Sequence, residues 1–324
     1  MRVAIIGAGG VGAYYGARFQ AVGDEVCLVA RGAHLAAMQA RGLRVEHPDF
    51  RFDAPVDAID LDTFVAERTP DAFDLLILAA KSAATGDIAA RLKPWLEGGR
   101  PPLLSVQNGV DNEPVLAAAL GGDRVLGGFA IRIGGHLEAP GVVTAKGEAR
   151  IVAGPWPNGD PSTRPMLTEL AQSCARAGLP IDLEADVRRA LWRKLVLNNG
   201  VNPLSALTGM DTRTLTRDPS FAPLVRTLME EAAAAAAADE VSLGADDVEA
   251  MFRLIHDFEA IKTSMLVDRE HGRHLEIDAL SGAVVRRMGR LGRPAPASAM
   301  VLALLGMADP PFPPARFAAP SDGD

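Results

Sequence analysis

The spacing of hydrophobic positions divides the chain of 324 residues into two parts. In the first part, short runs of β-branched and apolar residues alternate with segments of helical period, which predicts strands followed by helices. The predicted strands are residues 2–6, 25–31, 74–81, 101–112 and 179–183. Because helices separate most of these strands, we predict an α/β domain with a doubly wound parallel sheet.

The segment 124–154 has a different pattern, in which several short strand-like runs are separated by Gly, Ala-Pro-Gly and Lys-Gly turns. Such closely spaced turns predict an antiparallel extension of the sheet. An amphipathic helix is predicted over 164–177, between this extension and the last short strand.

From Glu184 onward the strand-like runs stop, and alanine, leucine and arginine dominate. Apolar residues at helical spacing predict helices over residues 186–203, 220–241, 245–261 and 276–292. We therefore expect three parts in the chain, namely the α/β domain over 1–183, an all-α domain over 184–308 and a poorly ordered, proline-rich tail over 309–324.

A glycine-rich turn lies between the first predicted strand and the first predicted helix. Residues 7–12, GAGGVG, fit the pattern GxGxxG. Gly7 permits a tight turn, Gly9 lets a pyrophosphate approach the backbone, and Gly12 lets the helix pack on the strand. The turn therefore predicts a Rossmann-type domain that binds a dinucleotide at a helix N-terminus. The expected cofactor contacts are Gly7, Gly9, Gly10, Val11 and Gly12.

The end of the second predicted strand distinguishes between the two nicotinamide dinucleotides. An acidic residue at this place binds the ribose 2′-hydroxyl of NAD, but this chain has Ala30 and Arg31. A guanidinium pairs well with the 2′-phosphate of NADP, so we expect NADP(H) as the cofactor, bound in part by Arg31. Lys81 and Asn108 end two further predicted strands. Ligands lie outside the carboxyl ends of strands in such sheets, so both residues are expected on the cofactor side.

Composition and charge narrow the class of protein. The chain is 48% hydrophobic and 23% charged with a net charge of −8, which favours folded domains and argues against nucleic acid as a partner. Cys27 and Cys174 belong to no CxxC or Cys/His cluster, so we expect two reduced core thiols and no metal site. Neither a signal peptide nor a run of about 18 apolar residues is found, which predicts a cytoplasmic protein without a membrane partner.

The second part contains an unusual polar stripe in the segment WRKLVLNNGVNP, residues 192–203. Lys194, Asn198 and Asn202 follow one another at steps of four, which places them on one face of a helix. We expect Pro203 to end this helix, with Asn202 close to its end. The stripe has two interpretations at this point, namely a site facing a ligand or a lysine whose stem covers apolar surface while its amine reaches water.

The motifs in this order resemble those of the 2-dehydropantoate 2-reductase (ketopantoate reductase) family. The segments that carry the resemblance are GAGGVGAYYG (7–16), AAK (79–81), QNGVDN (107–112), WRKLVLNNGVNPLSALTG (192–209) and SMLVDREHGRHLEIDALSGAVVRRMGRLG (264–292). The resemblance covers nearly the whole chain up to about residue 307. It implies a Rossmann domain followed by an all-α domain like the C-terminal domain of 6-phosphogluconate dehydrogenase.

The resemblance also implies roles for individual residues. Lys194 matches the general acid of the family, and Glu276 matches its glutamate, so these two are the expected catalytic residues. The expected substrate-binding residues are Asn108, Asn198, Asn202 and Ser264. The chain departs from the family in having Thr263 before the serine and Leu275 before the glutamate, and neither change removes a side chain with an assigned role.

Several alternatives stay open on the sequence. Burial lowers the pKa of a lysine and a nearby carboxylate raises it, so the pKa of Lys194 is undetermined. Glu276 accepts a hydrogen bond either from a substrate hydroxyl or from Lys194. The expected reaction is reduction of 2-dehydropantoate to (R)-pantoate with NADPH. A reductase of another branched 2-oxo acid and an NADPH-binding regulator are the alternatives, and a homodimer is compatible with any of them.

Overall fold

The computed structural model describes residues 1–99, 101–156 and 164–307. It forms two compact units, of which the first is Met1–Leu191 and the second begins at Trp192. The boundary that we predicted after residue 183 lies earlier in the chain than this division. The predicted tail, 309–324, lies outside the described residues.

The first unit contains two sheets. Their strands are β1 (Arg2–Ile6), β2 (Glu25–Val29), β3 (Leu43–His47), β4 (Phe50–Ala54), β5 (Asp57–Ile59), β6 (Leu75–Leu78), β7 (Leu103–Ser105), β8 (Val125–Ile131), β9 (Gly134–Ala139), β10 (Val142–Lys146), β11 (Arg150–Pro155) and β12 (Ile181–Leu183). The main sheet has eight strands in the order β12-β11-β8-β7-β6-β1-β2-β5. The strands from β8 to β5 are parallel, with Ile5 of β1 between Leu28 of β2 and Ile77 of β6. The predicted doubly wound sheet is therefore confirmed.

The predicted antiparallel extension is only partly right. β11 does pair antiparallel to β8 in the main sheet. β9 and β10, however, leave that sheet and form a second one in the order β4-β3-β10-β9, in which Val143 of β10 lies beside Val45 of β3. The reason is long-range pairing with the segment 43–54, whose strands we did not predict. The residues of β3 alternate between buried and more exposed positions, which is typical of a strand with one covered face.

Helices lie on both faces of the main sheet. The helices of the first unit are α1 (Gly10–Ala21), α2 (Gly32–Arg41), α3 (Leu61–Glu67), α4 (Thr85–Trp95), α5 (Asn112–Leu120) and α6 (Arg164–Arg176). Val3 and Ile5 of β1 share one buried core with Phe19 of α1, whereas Ile6 shares the opposite core with Leu92 of α4. Because successive side chains of a strand point to opposite faces, each buried strand supplies both cores. Both cysteines are buried free thiols, as expected.

The second unit is helical throughout its described part. Its helices are α7 (Val187–Thr208, which contains the division between the units), α8 (Thr212–Arg217), α9 (Ala222–Ala235), α10 (Ala245–Asp257), α11 (Ser264–Glu270), a π-helical segment (Asp278–Gly282), α12 (Ala283–Arg290) and α13 (Pro296–Gly306). The predicted all-α architecture is confirmed, although the helix predicted over 276–292 begins as a π-helix. Among the described helices, none combines the length and the apolar character that a bilayer crossing needs.

The expected end of α7 at Pro203 is wrong, because the helix continues to Thr208 with the proline inside it. A proline in a helix removes one backbone hydrogen bond, and here Leu204 and Ala206 beyond it are buried, which stabilises the continued helix. The helix instead stops before Gly209, which adopts a φ of 78° and donates its N–H to the carbonyl of Ser205. Asn202 therefore lies inside the helix and not at its end.

Candidate active site

The glycine turn after β1 has a conformation that only glycine tolerates at its first position. Gly7 has a φ of 95°, and a Cβ on it would lie 2.6 Å from the backbone nitrogen of Ala80. A Cβ on Gly12 would lie 2.4 Å from the carbonyl oxygen of Gly7, so the helix α1 packs closely on the turn. A Cβ on Gly9 would meet no atom within 4 Å. The space beside Gly9 is therefore open to a ligand that approaches the backbone.

The helix α1 begins directly behind this turn. Gly9 is its N-cap residue and has no side chain with which to cap it. The first N–H groups of a helix lack intrahelical acceptors and carry partial positive charge, and here they belong to Gly10, Val11 and Gly12. Gly10 also packs against the second sheet, since its Cβ would clash with the backbone of Gly135 in β9. These free donors fit the phosphates of a dinucleotide.

Arg31 lies at the carboxyl end of β2, where it is exposed and acts as the N-cap residue of α2. Lys81 is exposed and follows β6, and Asn108 is partly buried and follows β7. Because β2, β1, β6 and β7 are neighbouring parallel strands, their carboxyl ends lie along one edge of the main sheet. The structure thus collects the glycine turn, Arg31, Lys81 and Asn108 at this edge.

A buried polar network that we did not predict fixes the loops after β6 and β7. Gln107 donates from Nε2 to the carbonyl of Ala80 at 2.9 Å and to the hydroxyl of Thr85 at 3.0 Å. The carbonyl of Asn108 accepts from the hydroxyl of Ser82 at 2.7 Å and from the amide of Asn112 at 2.8 Å. The two loops therefore hold each other in place. In the sequence, this network is indicated only by the polar residues that follow each of the two buried strands.

Glu113, near the start of α5, is another group that the sequence did not reveal. Its side chain is fully buried, and neither carboxylate oxygen has a hydrogen-bond partner within the described residues. Burial raises the pKa of Glu113 to about 7. Its own backbone N–H, the hydroxyl of Ser105 and the backbone of Gly128 lie close enough to offset part of this increase, although none of them meets hydrogen-bond geometry. Glu113 is therefore a buried titratable group inside the first unit, in the first turn of α5.

On α7, the polar stripe has the expected arrangement on one helix face. Lys194 is partly buried, and Asn198 and Asn202 are 8% and 5% exposed. Within the described part of the chain, neither of these two asparagine side chains hydrogen-bonds to another residue. Asn199 has a structural role instead, since it donates to the carbonyl of Leu228 and accepts from the hydroxyl of Ser281. The stripe thus places the side-chain amides of Asn198 and Asn202 on the same helix face as the amine of Lys194.

Lys194 and Glu276 interact electrostatically within the second unit. The pKa of Lys194 is lowered to about 8, because burial destabilises the charged amine more than the carboxylate of Glu276 stabilises it. Glu276 is partly buried and lies just before the π-helical segment. Asp278, two residues later, is exposed and forms an ion pair with Arg286 at 2.6 Å. Of the two acidic residues, Glu276 alone influences the lysine.

Ser264 is the exposed first residue of α11. The residue before it, Thr263, is buried and caps this helix by accepting a hydrogen bond from the N–H of Leu266 at 3.2 Å. Thr263, at which the chain departs from the family pattern, thus retains the capping ability of a serine. Among the described residues, no cluster of three or more His, Cys, Asp or Glu side chains could hold a metal ion.

These features define a class of protein, in which a Rossmann-type dinucleotide-binding unit precedes an all-helical unit that presents a partly buried lysine. The family follows from comparison with known proteins. The family model described as ketopantoate reductase PanE/ApbA matches residues 3–158, and its C-terminal counterpart matches residues 186–309. The chain belongs to the ketopantoate reductase PanE/ApbA family, so the resemblance inferred from its motifs is confirmed.

Individual relatives agree with this assignment. The chain is 34% identical to a 2-dehydropantoate 2-reductase of Mesorhizobium japonicum, over 94% of this chain and 97% of that protein. It is 35% identical to a PanE/ApbA family ketopantoate reductase of Ralstonia eutropha JMP134 of known structure, with a TM-score of 0.82 over 95% of this chain and 98% of that one. A D-mandelate dehydrogenase solved with NADH and anilino(oxo)acetate shares the fold, with a TM-score of 0.86 at 22% identity over 95% of this chain and 97% of that one.

Proposed function

We propose that this protein is an NADPH-dependent reductase that converts 2-dehydropantoate to (R)-pantoate. Its membership of the ketopantoate reductase family supports the reaction, as does the name of the Mesorhizobium japonicum relative, whose length the chain covers almost completely. The observation that carries the proposal is the placement of the partly buried Lys194 close to the carboxylate of Glu276, where burial lowers the pKa of the lysine to about 8. A lysine in such an environment is suited to donate a proton near neutral pH.

The first unit is proposed to hold the cofactor. The open space beside Gly9 and the free N–H groups of Gly10, Val11 and Gly12 fit a pyrophosphate. The exposed guanidinium of Arg31 suits the 2′-phosphate, which supports NADPH over NADH. Lys81 and Asn108 are proposed to bind further along the cofactor, since they follow the neighbouring strands β6 and β7.

The reaction needs a proton donor as well as a reductant. A bound reduced nicotinamide supplies the hydride that reduces the 2-oxo carbon. As negative charge develops on the carbonyl oxygen, the ammonium of Lys194 stabilises it and transfers a proton to it. With a pKa of about 8, Lys194 is largely protonated at neutral pH, yet it releases its proton more readily than an exposed lysine.

The remaining polar groups of the second unit are proposed to hold the substrate. The amides of Asn198 and Asn202 lie on the same face of α7 as Lys194 and are suited to bind polar groups of the substrate. The hydroxyl of Ser264 is exposed and is assigned to the substrate carboxylate. Glu276 raises the pKa of Lys194, which supports an interaction of its carboxylate with the lysine rather than with a substrate hydroxyl. In this role Glu276 stabilises the ammonium form of the lysine. The buried free thiols of Cys27 and Cys174 further support a reducing compartment such as the cytoplasm.

The test is the steady-state oxidation of NADPH with a panel of branched and linear 2-oxo acids. We expect kcat/KM for 2-dehydropantoate to exceed that for every other acid by about tenfold or more, since one methylene or hydroxyl group changes specificity by this order. Equal kcat/KM values across the panel would contradict the proposed substrate and favour a reductase of another branched 2-oxo acid. Binding of NADPH without turnover of any acid would favour a regulator.

A further inference from the structure

A single buried histidine connects the glycine turn to two other elements of the first unit. His34 lies on α2, three residues after Arg31, and is 9% exposed. Its Nε2 is 2.9 Å from the carbonyl oxygen of Ala8, which lies between Gly7 and Gly9 in the turn. Its Nδ1 accepts a hydrogen bond of 3.0 Å from the N–H of Gly141, in the turn between β9 and β10.

These two bonds determine the protonation of the ring. A backbone N–H is only a donor, so Nδ1 of His34 must be the unprotonated nitrogen. The proton of the neutral ring is then on Nε2, which donates to Ala8. A second proton on Nδ1 would break the bond with Gly141. Burial lowers the pKa of His34, and the bond to Ala8 opposes this shift only in part, so the ring stays uncharged at neutral pH.

The bond to Ala8 acts on the backbone that is proposed to receive the cofactor. The N–H of Ala8 already donates to the carbonyl of Val29 at 2.9 Å, so His34 fixes the other polar group of the same residue. The plane of the next peptide bond, which leads to Gly9, is thereby determined. Without the imidazole, the carbonyl of Ala8 would lack this donor, and the turn could rotate away from the conformation that leaves the space beside Gly9 open.

We propose that His34, in its neutral Nε2–H form, is a positioning residue for the glycine turn and thereby sets the affinity for the dinucleotide. The proposal rests on the proposed function in one respect, namely that the turn binds NADPH. We assign His34 no contact with the substrate or the reacting atoms, since both of its ring nitrogens bond to backbone groups. It acts through the carbonyl of Ala8.

Two conservative variants separate the two bonds of His34. In His34→Gln, the side-chain amide nitrogen can take the place of Nε2 and donate to Ala8, but the acceptor for Gly141 is lost. In His34→Asn, the side-chain oxygen can take the place of Nδ1 and accept from Gly141, but the side chain is too short to reach Ala8. We expect Kd for NADPH to rise about tenfold in His34→Asn and to stay within about threefold of wild type in His34→Gln. In His34→Asn, KM for NADPH should rise while kcat at saturating NADPH is unchanged.

His47 provides a matched control. It is also buried, its Nε2 donates to the carbonyl of Gly147 at 2.7 Å, and its Nδ1 accepts from the N–H of Asp49 at 3.2 Å. Neither partner belongs to the glycine turn. His47→Gln and His47→Asn should lower the melting temperature to a similar degree as the His34 variants while leaving Kd for NADPH unchanged.

The outcomes separate the proposal from the proposed function. Wild type that binds neither NADPH nor NADH overturns the proposed function. Wild type that binds NADPH, together with a His34→Asn variant of equal affinity, overturns the role of His34 alone. Equal weakening in His34→Asn and His34→Gln would do the same, because a structural role does not distinguish the two bonds. The ¹⁵N chemical shifts of the imidazole provide a second readout, and a proton on Nδ1 at neutral pH would also overturn the proposal.

Discussion

At the glycine turn of the first unit, the groups proposed to bind a ligand are backbone N–H groups, whereas on α7 of the second unit they are side chains. The turn depends on conformations that a Cβ would prevent, as at Gly7, where it would lie 2.6 Å from Ala80. The stripe on α7 depends on the environment of one amine, since burial and Glu276 act in opposite directions on the pKa of Lys194. We therefore expect the proposed binding site of the first unit to be most sensitive to added side-chain volume. The proposed site of the second unit should be most sensitive to changes of charge.

The largest effect is expected for the side chain that supplies the proton. Lys194→Ala should lower kcat by about 100-fold to 10,000-fold, the usual contribution of a general acid. Kd for NADPH should change little, because its proposed contacts belong to the first unit. Lys262→Ala is the control, since Lys262 is an exposed lysine of the same unit that pairs with Glu270 at 2.7 Å. A Lys194→Ala variant with wild-type kcat would contradict the assignment of Lys194 as the proton donor, and with it the contrast between the two units.

Glu113 provides a test of whether the first unit also contains a site governed by charge. Its pKa is raised to about 7 from 4.5, so the folded protein binds this proton more tightly than the unfolded chain does. Below pH 4.5, Glu113 is protonated in both the folded and the unfolded chain and does not reduce stability. As the pH rises through the folded pKa of about 7, the carboxylate becomes charged inside the fold and this stability is lost. Glu113→Gln should then increase the unfolding free energy by about 3 kcal/mol above pH 8 or so and by very little near pH 4.5. Denaturant unfolding at both pH values measures this difference.

The exposed Glu67 at the end of α3 serves as the control for this measurement. Glu67→Gln should leave the unfolding free energy within about 0.5 kcal/mol of wild type at both pH values. A Glu113→Gln variant that is equally destabilised at both pH values would show that the carboxylate has partners in the fold.

Two alanine substitutions in the glycine turn separate its steric requirement from its ligand contact. Gly7→Ala should lower the unfolding free energy by about 1–3 kcal/mol, because it combines a positive φ with a backbone clash. Gly9→Ala should change it by no more than about 0.5 kcal/mol, since the new methyl group meets no protein atom. Gly9→Ala should nevertheless weaken NADPH binding, because the methyl group occupies the space assigned to the pyrophosphate. Equal stability of both variants would argue against the steric interpretation of the turn.

The smallest effect is expected at Arg31, where an exposed side chain contributes to cofactor choice. Arg31→Ala should lower the ratio of kcat/KM with NADPH to kcat/KM with NADH by about tenfold, through the loss of a charge-assisted hydrogen bond. Arg41→Ala, at the exposed other end of α2, should leave this ratio unchanged. An unchanged ratio in Arg31→Ala would mean that other groups select the cofactor.

The sequence predicted the features that depend on neighbouring residues. The glycine turn, the parallel strands and the polar stripe of α7 each show a local pattern with a physical cause, namely a positive φ, a buried run or a step of four residues. The second sheet could not be predicted in the same way, because β10 pairs with β3, about a hundred residues earlier in the chain. The length of α7 was also misjudged, since the burial that carries the helix past Pro203 comes from other parts of the unit.

The candidate site shows the same division. Lys194, Asn198 and Asn202 could be grouped from their spacing alone, but the pKa of the lysine required the burial and the position of Glu276. His34 offered no pattern at all, because its partners Ala8 and Gly141 are distant from it in the sequence. The role of a residue that acts through tertiary contacts cannot be predicted from the spacing of residues in the sequence.

The central claim is that Lys194 is the proton donor and that two opposed influences set its pKa, namely burial, which lowers it, and the carboxylate of Glu276, which raises it. The pH dependence of kcat in wild type and in Glu276→Gln tests this claim most directly. Turnover needs the protonated amine, so the account predicts that kcat in wild type falls as the pH rises above about 8. Glu276→Gln removes the influence that raises the pKa of Lys194, so this decline should move to lower pH. A wild-type kcat that stays constant up to about pH 10, the range of an unperturbed lysine, would contradict the account. A decline that stays at the same pH in Glu276→Gln, or moves to higher pH, would contradict it as well.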